Sequence, residues 1–250
     1  MSRYFLEVSY KGTDYSGSQI QKNANSIQAE IEKAFKILQK EQISMVGSSR
    51  TDTGVHALQN FFHFDYDGKI NQHFIYKMNA ILPAAIVVKK IAPVHEKANC
   101  RFDAVSREYK YIVYHAKNPF LEERAYYYPY KLNLEKLQKA ATLIKKYKDF
   151  TSFSKSRSQS KTFICDILES KWINEGDCIV YHVKANRFLR GMVRALTATM
   201  LLVGREKTTY EEFKEIIESK SSKNASFAAP PHGLFLISVN YPEGYFNYNK

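Results

Sequence analysis

The strongest constraint on this chain's fold is a repeated change of apolar period, from about two to about 3.6 and back, in each half of the sequence. Tyr4, Leu6, Val8 and Tyr10 alternate with more polar neighbours, which predicts a half-buried strand. Asn25 with Gln28 three residues on forms a candidate capping pair, and Ile27, Ile31, Phe35 and Leu38 then share one helical face. Residues 43–46 and 58–64 read as strands around a polar, glycine-bounded loop from Gly47 to Gly54. Phe74, Met78, Ile81 and Leu82 predict a second helix ending at Pro83, and 86–91 returns to a strand.

The second half repeats this order. Tyr109, Tyr111 and Val113 alternate with Lys110, Ile112 and Tyr114 as in a strand, and Leu134, Leu137, Ala141 and Ile144 mark a helix. Residues 163–173 and 178–185 predict an antiparallel pair joined across Asn174-Glu175-Gly176. Residues 189–203 read as a buried helix stopped by Gly204, Thr209 with Glu212 as a capping box, and 234–239 as a last strand. The expectation is two α+β subdomains with antiparallel sheets, 1–104 and 105–250, without an internal sequence repeat.

Charge narrows the partner without naming it. Lys and Arg number 37 against 25 acids, a formal +12, which favours a polyanion such as nucleic acid; membrane-surface and ribosome-associated proteins share that balance. Cys100, Cys165 and Cys178 lie far apart with no CxxC, and no HExxH spacing occurs, so neither disulfides nor a metal is expected. With Glu7 reached before any apolar run develops, the expectation is an untargeted protein of the reducing cytoplasm. Residues 151–162 carry Lys155, Arg157 and Lys161 and suit either a phosphate-contacting loop or a solvated one. Tyr126, Tyr127, Tyr128 and Tyr130 suit base stacking or, as the commoner role, core packing.

The run Ser49-Arg50-Thr51-Asp52-Thr53-Gly54-Val55-His56-Ala57 discriminates more sharply. An isolated Asp-x-Gly is most simply an Asx-type turn. Here it stands among further segments: 10–19 (YKGTDYSGSQ), 79–83 (NAILP), 101–104 with 107–111 (RFDA, REYKY), 149–153 (DFTSF), 186–194 (NRFLRGMVR) and 233–236 (GLFL). These seven, in this order, resemble the TruA family of pseudouridine synthases, with its RTDxGVHA, YDGxxYxGWQ, NAxLP, DFxSF, HxMVR and GLxL patterns. The chain departs from them where Ser18 replaces a usual Trp, Ser49 a common Gly, and Arg190-Gly191 a pair often made of histidines.

The resemblance implies the pseudouridine synthase fold: two ferredoxin-like (RRM-like) subdomains forming a continuous, mostly antiparallel sheet. It implies isomerisation of uridine in the anticodon stem-loop of tRNA, expected at tRNA positions 38, 39 and 40. It implies no cofactor and no metal, a homodimer, and no membrane partner. Asp52 matches the essential carboxylate, Arg194 the cation paired with it, and Tyr109 the ring that stacks on uracil with its hydroxyl near C5. Arg50 matches a residue that assists extraction of the nucleotide, and Leu234 an apolar residue of the pocket. Taken singly, Arg50 reads as a loop salt bridge, Arg194 as a phosphate contact or a surface residue, and Tyr109 and Leu234 as core. A synthase with another RNA address, or a noncatalytic RNA-binding relative, would share much of the pattern. A carboxylate hydrolase fits less well, because no second acid stands at acid and base spacing.

Overall fold

In the computed structural model, which describes residues 1–155 and 161–246, the opening alternation forms β1 (Ser2–Tyr10). Tyr4, Leu6, Val8 and Tyr10 are all buried there. The strand pairs antiparallel on both sides, with β3 (His56–Tyr66) and β4 (Ile86–Val94). β2 (Val46–Gly47) also pairs with β3. These strands belong to one compact unit, Met1–Val105 together with the chain from Leu236 onward; Ser106–Phe235 make the other. The returning segment brings β9 (Leu234–Asn240) beside β3, so strands in the first unit run β4-β1-β3-β9.

Both faces of β3 are covered, because Phe61, Phe62, His63 and Phe64 are consecutive and all buried. On one face lie α1 (Ile27–Gln39) and α2 (Gln72–Ile81). Phe35 of α1 meets Phe64, Tyr66 and Phe74 edge-on with centroids 5.2–5.4 Å apart, a favoured arrangement for aromatic quadrupoles. On the other face Phe5 and Phe61 meet Tyr241 and Phe246 from the chain's last described turns. Tyr241 and Tyr245 tie that cover down by donating to the Cys100 carbonyl (2.7 Å) and Asp103 (2.6 Å).

Two local expectations change here. The cap of α1 is Ser26, extended at φ −140°, whose Oγ accepts the Ala29 N–H at 3.3 Å. Gln28 instead turns inward to Glu32 and the Met45 carbonyl, each at 2.8 Å. Residues 43–45 form no strand, because Met45 gives its N–H to the Glu32 carboxylate at 2.9 Å rather than to a neighbouring strand.

In the second unit β5 (Ser106–Tyr114), β8 (Cys178–Ala185) and β7 (Ile167–Glu175) form an antiparallel set in that order, with β6 (Tyr126–Tyr127) parallel to β5. Strand β7 begins later than the alternation suggested. Residues 163 and 165 pair with 148–150 instead, through Phe150 N–H to the Phe163 carbonyl and Cys165 N–H to the Lys148 carbonyl. Helices α3 (Leu134–Ile144), α4 (Met192–Gly204) and α5 (Tyr210–Glu218) pack around a core that includes Leu137, Leu196 and Phe213. The Thr209–Glu212 capping box is present. Gly204 lies inside the last turn of α4 rather than past it; a Cβ there would fall 2.8 Å from the Leu137 side chain. Close helix approach, not a left-handed stop, explains this glycine.

The polar stretch after Asp149 is partly packed. Phe150 and Phe153 are fully buried around a 3-10 turn at Thr151–Phe153, and Asp149 accepts from the Thr151 amide and hydroxyl. Of its basic residues, Arg157 lies outside the described residues. Among the four tyrosines core packing holds for Tyr128; Tyr127 and Tyr130 are 43% and 46% exposed. The Arg205 guanidinium sits 3.4 Å from the Tyr130 ring centroid, a cation–π contact. The three cysteines are free, and no described helix is long and apolar enough to cross a membrane.

Candidate active site

The Asp52 loop joins β2 to β3 and is shaped by its own turn and by the segment after β1. Gly54, at φ +77°, occupies the left-handed position of a turn closed by the Val55 N–H on the Asp52 carbonyl at 3.2 Å. The backbone oxygen of Asp52 closes this turn. From outside, the Tyr15 carbonyl accepts the Gly54 N–H (3.3 Å) and the Thr51 carbonyl accepts the Ser18 N–H (3.1 Å). Gly12 donates to His56 Nδ1 at 3.0 Å, which leaves the neutral ring's proton on Nε2.

Two glycines permit this approach. A Cβ on Gly12 would stand 2.0 Å from the Val55 carbonyl oxygen, and Gly17, at φ +99°, would place one 2.7 Å from the Thr51 oxygen. Segments 10–19 and 49–57 are thus one piece of structure, each fitting the other's backbone. Thr51 is buried, Asp52 partly exposed and Arg50 exposed.

Three further residues singled out in the sequence lie in the second unit. Tyr109, 8% exposed on β5 opposite Val183, packs edge-on against Phe188 with centroids 5.1 Å apart. Arg194 stands in the first turn of α4 and donates through Nε to the Ala229 carbonyl at 2.8 Å. The Tyr111 hydroxyl holds the next residue, donating to the Pro230 carbonyl at 2.7 Å, and burial pushes its phenol far up from the ordinary range. Leu234, buried, opens β9 immediately after the 3-10 turn at Pro231–Gly233 that follows this anchored backbone. Burial, with the Arg194 charge adding to it, lowers the His232 pKa, which favours a neutral ring.

The structure thus brings Arg50 and Asp52 onto one loop of the first unit, while Arg194 and Leu234 flank one anchored segment of the second. It also adds a residue that the sequence reading passed over. Asn60 stands in β3 just before Phe61 and Phe62, is 0% exposed, and bonds the aspartate loop directly. A buried amide amid aromatic neighbours was its available signal.

Comparison with known proteins accounts for the shared layout. The family described as tRNA pseudouridine synthase matches residues 7–103 and 147–242. The tRNA pseudouridine synthase A of Parabacteroides distasonis is 43% identical over 248 residues, covering 98% of each chain. Those of Azobacteroides pseudotrichonymphae and Bacteroides thetaiotaomicron are 38% and 40% identical over 98% and 99% of this chain, and 99% and 93% of their own. With the aspartate loop and the Arg194 helix inside the residues that the family matches, and relatives similar over nearly the whole chain, the chain belongs to the tRNA pseudouridine synthase family, a family of isomerases.

Proposed function

We propose that this protein converts uridine to pseudouridine in the anticodon stem-loop of tRNA, at positions 38, 39 and 40, with Asp52 as the essential carboxylate. The observation that carries the reading is the aspartate loop, a backbone-clamped turn that offers a partly exposed carboxylate. The reaction breaks the N1 glycosidic bond, turns the uracil, joins C5 to C1′ and transfers a proton from C5. Its atoms balance without a cofactor. Asp52 serves as nucleophile at C1′ or as base at C2′, and a closed site favours the ionised form only with a cation at hand. Arg194 is that cation in this reading, and Arg50 holds phosphate while the nucleotide leaves its stack.

Tyr109 stacks on the uracil with its hydroxyl near C5, and Leu234 packs against the base. The same reading takes the working form as a homodimer in the cytoplasm, where three free cysteines are at home. It assigns the aspartate loop, with Arg50 and Asp52, to an N-terminal subdomain, 1–104, and Tyr109, Arg194 and Leu234 to 105–250, which completes the site. The test is tritium release from tRNA labelled at uridine C5, with product mapped to the position. Release with product outside the anticodon arm would replace the address, and no release would remove the activity.

For Tyr109, the Phe variant keeps the ring and its contact with Phe188, so tRNA affinity is expected to stay near wild type. Turnover should fall about 10²-fold, the scale of a lost acid or base. Full turnover in the Phe variant would leave stacking as the residue's only role.

A further inference from the structure

Behind the aspartate loop lies a closed polar network in the first unit. Asn60 orients it. Its Oδ1 accepts from the Ser48 hydroxyl (2.8 Å) and the Phe61 amide (2.9 Å), both donors, so Nδ2 must face the other way. There it donates to the Ser49 carbonyl and to the Tyr10 hydroxyl oxygen, each at 3.1 Å. Tyr10 oxygen, accepting from Asn60, also meets Thr51 Oγ1 at 2.9 Å, where either hydroxyl can be the donor. Burial pushes the Tyr10 phenol up, which keeps it protonated.

Ser18 completes the grip. Its Oγ accepts the Thr51 N–H at 2.9 Å, its own N–H goes to the Thr51 carbonyl at 3.1 Å, and its hydroxyl reaches the Ser49 carbonyl at 3.4 Å. Thr51 is therefore held at amide, carbonyl and hydroxyl, one residue before Asp52. Tyr10, Ser18, Thr51 and Asn60 are all buried, at 5%, 1%, 7% and 0% exposure. Hydrogen bonds in such a dry setting are strong and costly to leave half made. A core that needed only filling would have taken apolar side chains here, as β3 does at Phe61, Phe62 and Phe64.

We infer that Tyr10, Ser18 and Asn60 are positioning residues for Asp52: they lock the Thr51 peptide and so fix where the adjoining carboxylate stands. The inference rests on Asp52 being the essential carboxylate. Catalytic groups must be held to within about 0.5 Å, and a misplacement of about 1 Å costs on the order of 10²-fold in rate. These residues touch no substrate in this scheme, so their loss should appear in kcat rather than in tRNA binding.

The experiment uses the full chain with Tyr10→Phe, Ser18→Ala, Thr51→Val and Thr51→Ser, and with Asp52→Asn beside them. For each, kcat and KM come from tritium release, tRNA affinity from filter binding, and folding from the melting temperature. Tyr10→Phe, Ser18→Ala and Thr51→Val should lower kcat by about 10–100-fold, with KM and tRNA affinity within about twofold. Thr51→Ser retains the hydroxyl and should restore kcat to within about threefold of wild type. Because Val and Ser variants alter the same contact in opposite ways, equal losses from both would overturn the inference. So would wild-type kcat in Tyr10→Phe and Ser18→Ala when Asp52→Asn is inactive. Activity in Asp52→Asn would remove the reading on which the inference stands, and the inference with it. Tyr10→Phe combined with Thr51→Val should lose no more than the worse single change, as partners in one bond do.

Discussion

Asp52→Asn should abolish pseudouridine formation while leaving the fold and tRNA affinity intact. Asn is nearly isosteric with Asp, and the 49–57 turn is closed by the backbone of Asp52 and anchored through Tyr15 and Ser18. Only the charge is removed. Loss of an essential catalytic group costs on the order of 10⁴-fold or more in kcat. Binding should persist because affinity for tRNA is expected to come mainly from phosphate contacts, given a chain of net charge +12. Tritium release and filter binding on one preparation separate the two effects. Wild-type turnover by the Asn variant would show that the carboxylate has been misassigned.

The second large effect is expected from Arg194→Met. A cation in the first turn of a helix faces the positive end of the macrodipole, and α4 has no side-chain cap at Gly191 to offset it. Such a residue is poorly placed for helix stability alone, which fits a role toward an anion. Losing a preorganised charge at a reacting centre costs about 10²–10³-fold. The Ala229 carbonyl loses its donor in the same variant, a structural loss of about 1 kcal/mol that a modest drop in melting temperature would report. Combining Arg194→Met with Asp52→Asn should cost little beyond Asp52→Asn alone, as for groups acting as one unit. Multiplying losses would mean that Arg194 acts elsewhere, for example on phosphate.

The sequence was most legible where one pattern settled one element. Strict alternation located β1 and β5, and the spacing of Ile27, Ile31 and Phe35 located α1. It was less legible where neighbours compete for the same partner. Asn25 and Ser26 are both capping residue types, and the structure alone shows that Ser26 caps α1 while Gln28 turns to Glu32. Local pattern also does not reveal that 163–165 pair back onto 148–150. In the candidate site, the charged residue types at Arg50, Asp52 and Arg194 could be read from ordered motifs. The support beneath Asp52 could not, because it depends on Asn60 meeting Tyr10 across strands and on Tyr10 in turn meeting Thr51. Ser18 looked like the loss of a large ring from the family pattern; folded, it is a hydroxyl that accepts the Thr51 amide.

The division of the chain also carries a consequence for how the protein comes into being. Residues from Leu236 onward belong with the first unit, where β9 adjoins β3 and Tyr241 and Phe246 cover Phe5 and Phe61. Domains usually fold in order as they leave the ribosome. Here the ribosome delivers all of Ser106–Phe235 before it makes the strand and rings that finish the unit begun at the N-terminus. A nascent chain stalled with Phe235 just outside the ribosome should therefore show a protease-resistant second unit and a still-digestible first one, which becomes resistant only once Phe246 has emerged. Early resistance of the first unit would contradict this. The part of the protein that is synthesised first, and that holds the aspartate, is then the last to mature.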